Sequence, residues 1–259
     1  MTDDPWQGLR QFTRARIALG RAGASLPTSA TLAFQLDHAR ARDAVHQSLD
    51  EAALLGGLRD LFGAASILHS RAPSRAEYLQ RPDLGRQLNE ADWQQLAEQH
   101  KADAAAADVV PIVTDGLSAT AINRHALPFL AAWQAEMAEA KVVVAPPLLV
   151  HQGRVAIGDD IGEALDGKMT LLLVGERPGL SSPDSLGLYL TYRPRRGCSD
   201  AQRNCISNIR PEGLSYERAA QTCCYLIQQA LSKGVTGVGL KDDSQQLEAD
   251  TESAIPFLR

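Results

Sequence analysis

Lys168-Met-Thr-Leu-Leu-Leu-Val-Gly-Glu-Arg-Pro-Gly-Leu180 is the stretch on which the fold turns. From Met169 to Val174 the apolar residues do not alternate with polar ones, so both faces of the strand ask for cover. The run stops in Gly175-Glu-Arg-Pro-Gly-Leu180 and Ser181-Ser-Pro-Asp-Ser185, where glycine, proline and serine favour a loop. A strand buried on two sides belongs to a sheet sandwiched between helices.

Working outward, the same texture recurs. Asp108-Val-Val-Pro-Ile-Val-Thr114 reads as a strand, and Val142 to Val150 as another. Pro146-Pro147 inside the latter predicts an edge or broken strand, because proline cannot donate to a ladder. Val155-Ala-Ile157 and Gly234 to Gly239 read as short strands, and Leu186 to Tyr192 alternates like one. Between them, Ala119 to Ala140 and Leu214 to Ser232 carry helical periodicity, with Ser118 and Ser215 as caps. Asp159 and Asp160 precede a short helix, Ile161 to Leu165, whose amino end suits their charge. The stretch through Cys205-Ile-Ser-Asn208 reads as a polar connection.

Before Asp108 there is no strand signal. Arg10 to Leu19 is rich in Arg and Ala, Gly20-Arg-Ala-Gly23 interrupts it, and Thr28 is positioned to cap a long helix running to about Leu58. Arg81-Pro-Asp-Leu-Gly85 is a turn, and Asn89 caps a helix carrying Trp93, Leu96 and Ala97. The fold class expected is α/β. A helical N-terminal region spans 1–107, a Rossmann-like α/β domain with a parallel or mixed sheet spans 108–240, and a loose polar tail spans 241–259.

Composition narrows function by exclusion. The chain has 259 residues, 44% hydrophobic and 22% charged, which suits a globular protein. A net charge of -5 is wrong for general nucleic-acid binding, which works by neutralising phosphates. No run approaches the ~20 apolar residues of a membrane helix, and Met1-Thr-Asp-Asp-Pro5 lacks the basic and apolar regions of a secretion signal. Cys198, Cys205, Cys223 and Cys224 lack C-x2-C spacing and read as reduced thiols, not as a metal site.

The six histidines form no H-E-x-x-H, and His38 and His46 sit two turns apart on one helix, too far for one metal. Gly162-Glu-Ala-Leu-Asp-Gly-Lys168 resembles a Walker A loop, but Met169 stands where Ser or Thr should hold magnesium, and helix precedes strand. There is no dinucleotide fingerprint and no G-x-S-x-G elbow. What remains is a ligand-binding chain without catalytic residues of its own. Ligands of such sheets bind outside the carboxyl ends of the strands. Four loops are expected there: Asp115-Gly-Leu-Ser118, His151-Gln-Gly-Arg154, Gly175 to Ser185, and the segment around Cys205.

Seven stretches resemble the small subunit of ethanolamine ammonia-lyase, in order along nearly the whole chain. They begin with Leu9 to Gly23, Phe34-Gln-Leu-Asp-His-Ala-Arg-Ala-Arg-Asp43 and Tyr78-Leu-Gln-Arg-Pro-Asp-Leu-Gly-Arg86. They continue with Asp115 to Ser118, Gly153-Arg-Val155, Val174 to Leu180, and Asn204-Cys-Ile-Ser-Asn-Ile209. The resemblance implies a subunit of an adenosylcobalamin enzyme that deaminates ethanolamine to acetaldehyde and ammonia by a radical route. Homolysis of the Co–C bond starts that route. The substrate pocket is implied to lie on a large subunit, which explains the lack of catalytic residues here.

The family's cobalamin contacts carry over to Val155, Glu176 and Cys205. Their implied roles are backbone and apolar contact with the corrin edge, acceptance of hydrogen bonds from its amide arms, and packing near the nucleotide tail. No D-x-H-x-x-G motif is present, so the cofactor is expected base-on, keeping its own dimethylbenzimidazole. The implied partner is the large subunit, in a hetero-oligomer of paired subunits. The expected location is a bacterial microcompartment. Free cytosol is the alternative, because the chain starts almost directly at Leu9-Arg10. A functional alternative is a stand-alone binding module for a phosphorylated small molecule, which should be monodisperse and bind ligand by itself. A subunit should instead present apolar, arginine-rich helix faces to a partner.

Overall fold

The computed structural model describes residues 6–13, 15–102 and 107–244. Six strands form one mixed sheet: β1 (Ser66–His69), β2 (Val109–Thr114), β3 (Leu148–His151), β4 (Met169–Gly175), β5 (Leu186–Tyr192) and β6 (Arg203–Ile209), in the order β1-β3-β2-β4-β5-β6. β1, β3, β2 and β4 run parallel, and β5 is antiparallel to both β4 and β6. The chain is therefore α/β with a mixed sheet, and a helical N-terminal region leads into it.

The described residues form seven α-helices: α1 (Thr28–His46), α2 (Glu51–Phe62), α3 (Arg75–Gln80), α4 (Glu90–Ala102), α5 (Ala119–Met137), α6 (Ile157–Ala164) and α7 (Tyr216–Lys233). Strand alternation divides the core in two. On one face Val113, Leu171, Leu173, Leu188 and Leu190 meet Phe129, Leu130 and Trp133 of α5 and Cys223 and Ile227 of α7. On the other, Ile112, Val150, Leu172 and Val174 meet Leu96 of α4 and Ile157 and Ile161 of α6. Each such large side chain contributes ~1.5–3 kcal/mol by leaving water.

Several expectations hold and several need correction. β2, β4, β5, α5 and α7 fall where the periodicity puts them. The side chains of Ser118 and Ser215 cap their helices, accepting from Ala121 N at 3.2 Å and Arg218 N at 3.3 Å. Asn89 Oδ1 likewise accepts from Asp92 N at 2.9 Å as α4 begins.

The expected absence of strands before Asp108 is wrong. β1 is only four residues long, too short to show alternation, and it pairs with β3 from Ser66↔Leu148 to His69↔His151. β3 is consequently interior, not an edge, and it starts at Leu148, so Pro146 and Pro147 precede the ladder. The long helix expected from Thr28 to Leu58 breaks after His46, because Asp50 caps a new helix by accepting from Ala53 N at 3.1 Å. Thr28 is not a cap, since Pro27 holds that position.

Val155 to Ile157 is no strand: Val155 and Ala156 form a turn and Ile157 begins α6, which is longer than expected. Asp159 and Asp160 lie inside its first turn and are buried, because Arg203 and Arg196 reach them from distant parts of the chain. Cys205 to Asn208 is part of β6. Its pattern hides because Ile206 and Ile209, three apart, both reach the core across a register shift between Leu186 and Leu188. Gly234 to Gly239 is no strand: Gly234 closes α7 at φ +70° and Gly237–Gly239 is a 3-10 turn. Of the tail, residues 245–259 lie outside the described part. No described helix is long and apolar enough to cross a membrane.

α1 is the outlier in packing. Of its 19 residues only Ala44 is buried. Leu32, Phe34 and Leu36 are exposed, as are Trp6, Leu9, Phe12 and Leu26 just before it.

Candidate functional site

Three of the four expected loops converge at the carboxyl ends of β2, β3 and β4. Their closeness depends on glycine. A Cβ on Gly116, which holds φ +55°, would overlap the Gly175 carbonyl, one on Gly175 would overlap the Ser118 carbonyl, and one on Gly153 would overlap Thr114 Oγ1. Thr114 Oγ1 binds this corner together. It donates to Val150 O at 2.8 Å and accepts from Gly153 N at 3.0 Å.

α3 braces the loops from the side. Tyr78 is fully buried and its hydroxyl donates to Gly153 O at 3.0 Å. Arg75 and Arg154 stack on the Tyr78 ring, with guanidinium carbons 4.8 and 4.3 Å from its centre. Arg75 Nη1 donates to Gly116 O at 2.8 Å and lies 3.4 Å from Asp115 Oδ2. Burial pushes the Asp115 carboxyl above its ordinary range, and the charge of Arg75 opposes that rise. The Tyr78 phenol is pushed up in the same way, mainly by burial.

These loops border a cleft of about 300 Å³ lined by Tyr78, Gly116, Leu117, Arg154, Val155, Val174, Gly175, Glu176, Arg177 and Tyr189. Two of the three expected contact residues, Val155 and Glu176, thus line the same cleft. The third, Cys205, lies on β6 and not on a loop as expected. It pairs across from Tyr189, which itself lines the cleft. Glu176 Oε2 accepts from the Ser185 hydroxyl and from Asn208 N (3.2 Å), fixing the carboxylate between the β4 loop and the end of β6. Val155 opens the two-residue turn before α6, and its N–H meets no acceptor among the described residues.

Next to the cleft the sheet changes character. α5 and α7 cover one face of β5 and β6. On the opposite face, where Tyr189 and Cys205 stand, Cys205 and Ser207 are exposed. Further along the same face Thr191 and Arg203 are buried, so the exposure is confined to the end of β6 nearest the cleft. Cys205 is nonetheless no thiolate: desolvation raises its pKa, and the nearby Glu176 charge adds to the rise.

Tyr78, Arg75, Arg154 and Tyr189 were not singled out as functional from sequence, although Tyr78 and Arg154 lie within two of the seven stretches quoted above. Their neighbours along the chain do not reveal that they meet in space. The four cysteines are unpaired, and no group of three or more metal-ligating side chains forms among the described residues.

Comparison with known proteins agrees with the resemblance. The family model for the ethanolamine ammonia-lyase light chain matches residues 3–241. The ethanolamine ammonia-lyase small subunit of Pseudomonas putida strain W619 is 52% identical over 251 residues, 97% of this chain and 92% of that protein. The small subunits of Pseudomonas fluorescens strain Pf0-1 and Azotobacter vinelandii are each 52% identical, over 98% of this chain and 94% of each relative. A match of that extent and identity leaves one assignment: this chain belongs to the ethanolamine ammonia-lyase small-subunit family, the light chains of that lyase.

Proposed function

We propose that this chain helps to hold adenosylcobalamin, base-on, against a large subunit that carries the ethanolamine pocket, so that the pair releases acetaldehyde and ammonia. The observation that carries this reading is the convergence of Val155, Glu176 and, through Tyr189, Cys205 on one cleft that opens onto the exposed end of β6.

The donor set suits an amide-fringed macrocycle. Glu176 keeps Oε1 as an acceptor for amide N–H groups, while Ser185 and Asn208 hold its other oxygen. Val155 offers an isopropyl group and an open backbone N–H. Tyr189 and Cys205 supply a flat surface on which a planar group can rest. When bound, the cofactor supplies the carbon-centred radical that removes a substrate hydrogen. This chain's part is to bind and orient the cofactor on one side and to keep water from it.

The proposed partner explains the other feature without an internal account. A helix with one buried residue, carrying exposed Leu32, Phe34 and Leu36, needs an external surface to cover it. The large subunit is that surface in this reading, and packaging in a bacterial microcompartment is part of the same proposal.

Co-expression with the large subunit tests both parts. Acetaldehyde release is expected only from the pair plus adenosylcobalamin, and Glu176→Ala should weaken cofactor binding by about tenfold or more, the loss of charge-assisted hydrogen bonds. Unchanged cofactor affinity in Glu176→Ala removes that residue's role. A chain that stays monodisperse alone and binds phosphorylated metabolites without the large subunit overturns the proposal as a whole.

A further inference from the structure

A second cavity, of about 220 Å³, lies at the opposite pole of the sheet, beside the amino ends of β1, β2 and β3. Leu96, Val110, Ala145, Pro146, Leu148 and Leu165 give it apolar walls, and its polar side chains are Ser66 and Gln99. Ala107, Ala145 and Leu165 are half-buried, and Pro146 and Gln99 are exposed, so the cavity opens outward. Sites for small molecules run to ~300–1,000 Å³ with several convergent polar groups. This one is smaller and more apolar, and suits the side chains of a polypeptide.

The chain itself carries a segment of that kind. Residues 245–259, outside the described part, read Gln245-Gln-Leu-Glu-Ala-Asp-Thr-Glu-Ser253 and then Ala254-Ile-Pro-Phe-Leu-Arg259. A polar, acidic stretch thus precedes a compact apolar group. Its starting point is at the same pole as the cavity. Asn204 Nδ2 donates to Leu240 O at 2.8 Å, and Thr236 Oγ1 accepts from Tyr192 N at 2.9 Å, which fixes the approach to Ser244 beside the end of β5. Tyr192 pairs with Met169 at the amino end of β4, and Arg193 N donates to Lys168 O at 2.8 Å. Gly167, the next residue, lines the cavity. From β6 to β2 is three strand spacings, ~15 Å. The ten residues between Ser244 and Ile255 reach up to ~33–36 Å when extended, so the distance is easily covered.

The ground between is basic. Lys168, Arg193 and Arg195 are all exposed there. Lys168 meets one acid, Asp108, and Arg195 meets another, Asp166, the neighbour of Leu165 in the cavity wall. Arg193 lies over Tyr192 and has no carboxylate within ion-pair distance among the described residues. Glu248, Asp250 and Glu252 give the stretch that would cross this ground the opposite sign.

We propose that Ile255, Phe257 and Leu258 fill this cavity, and that Gln245 to Ser253 runs along Lys168, Arg193 and Arg195 as an acidic strap. Pro256 suits that role, because it holds the residue before it extended. The chain then closes its own sheet at the pole remote from the cleft, independently of any cofactor.

The test places a thiol in the cavity wall, as Ala145→Cys or, on another wall, Ala107→Cys. Its alkylation by N-ethylmaleimide is read at that site by peptide mass, in the full chain alone and assembled with the large subunit. Adding Phe257→Ser should speed alkylation about tenfold or more in both preparations, the scale of one buried aromatic side chain. Glu248→Gln with Glu252→Gln should speed it less, and the difference from the parent should vanish in about 1 M salt, where surface charges are screened. Equal rates with and without Phe257→Ser overturn the proposal. So does a thiol shielded only in the assembled pair whatever stands at 257, which assigns the cavity to the large subunit. Shielding that grows with chain concentration assigns it to a second copy, and overturns the proposal too.

Discussion

Asp159→Ala should be among the most damaging single changes to this chain. Asp159 and Arg203 are 2% and 7% exposed. Their fork is bidentate: Arg203 Nη2 donates to Oδ2 at 2.7 Å and Nη1 to Oδ1. Arg203 also donates to Cys198 O at 2.8 Å and lies 3.3 Å from Thr191 Oγ1 and from the exposed Asp200. Removing Asp159 leaves a buried guanidinium with only neutral acceptors and one solvated carboxylate. Breaking a buried pair on one side costs ~3–5 kcal/mol, a large part of a stability of about 5–15 kcal/mol.

At roughly 2–4 °C per kcal/mol for a chain of this size, the melting temperature should fall by about 6–20 °C. Differential scanning calorimetry of the chain co-purified with its large subunit reads it. The double change Asp159→Leu with Arg203→Met removes both charges, and should recover most of the loss because no ion is stranded. A single variant that melts within 2 °C of wild type, or a double variant no better than the single, would refute the reasoning.

Three further outcomes follow from the same geometry. Gly153→Ala should cost ~1–3 kcal/mol by overpacking, since its Cβ would meet Thr114 Oγ1; a urea midpoint equal to wild type contradicts the tight corner. Acid should destabilise the chain in two steps. Burial lowers the His125 pKa, so the unfolded chain takes up a proton the folded one refuses, and stability falls as pH drops through ~6.5. Asp184 is held low despite burial by hydrogen bonds from Arg124 and Arg210 and by the nearness of His125, so its contribution is lost further down, as pH falls below ~4 toward its folded pKa. Urea midpoints flat between pH 7 and 5 would exclude the histidine step. Finally, Cys205 should alkylate more slowly than a free thiol at pH 8 although it is exposed, because its pKa is raised; in a Cys198→Ser background, a rate matching glutathione's contradicts that.

The parts of the fold legible in the sequence are those where local pattern and burial coincide. β4 is buried along its whole length, and its apolar run shows it. Ser118 and Ser215 signal helix starts because a cap is a local interaction. What stayed hidden depends on distant partners. β1 is a strand because β3 offers a register, and Asp159 tolerates burial because Arg203 arrives from 44 residues away. At the site, the Gly175–Ser185 loop was readable from its breakers, and Val155, Glu176 and Cys205 came through resemblance. The stack of Arg75, Tyr78 and Arg154 was not readable, since α3 and the loop after β3, some 75 residues apart, meet only in the folded chain.

α1 also bears on the chain's survival before assembly. A helix of 19 residues is near the length at which water alone barely sustains it, and a single buried alanine adds little. Its opening should therefore require far less energy than global unfolding. Any surface that covers it shifts that opening by mass action. Cleavage by trypsin at Arg40 and Arg42 is then a gauge of occupancy: rapid in orphaned copies, suppressed in covered ones. A cell that makes this chain in excess would clear the surplus from this end, and the exposed helix would set the lifetime of copies on which nothing covers it.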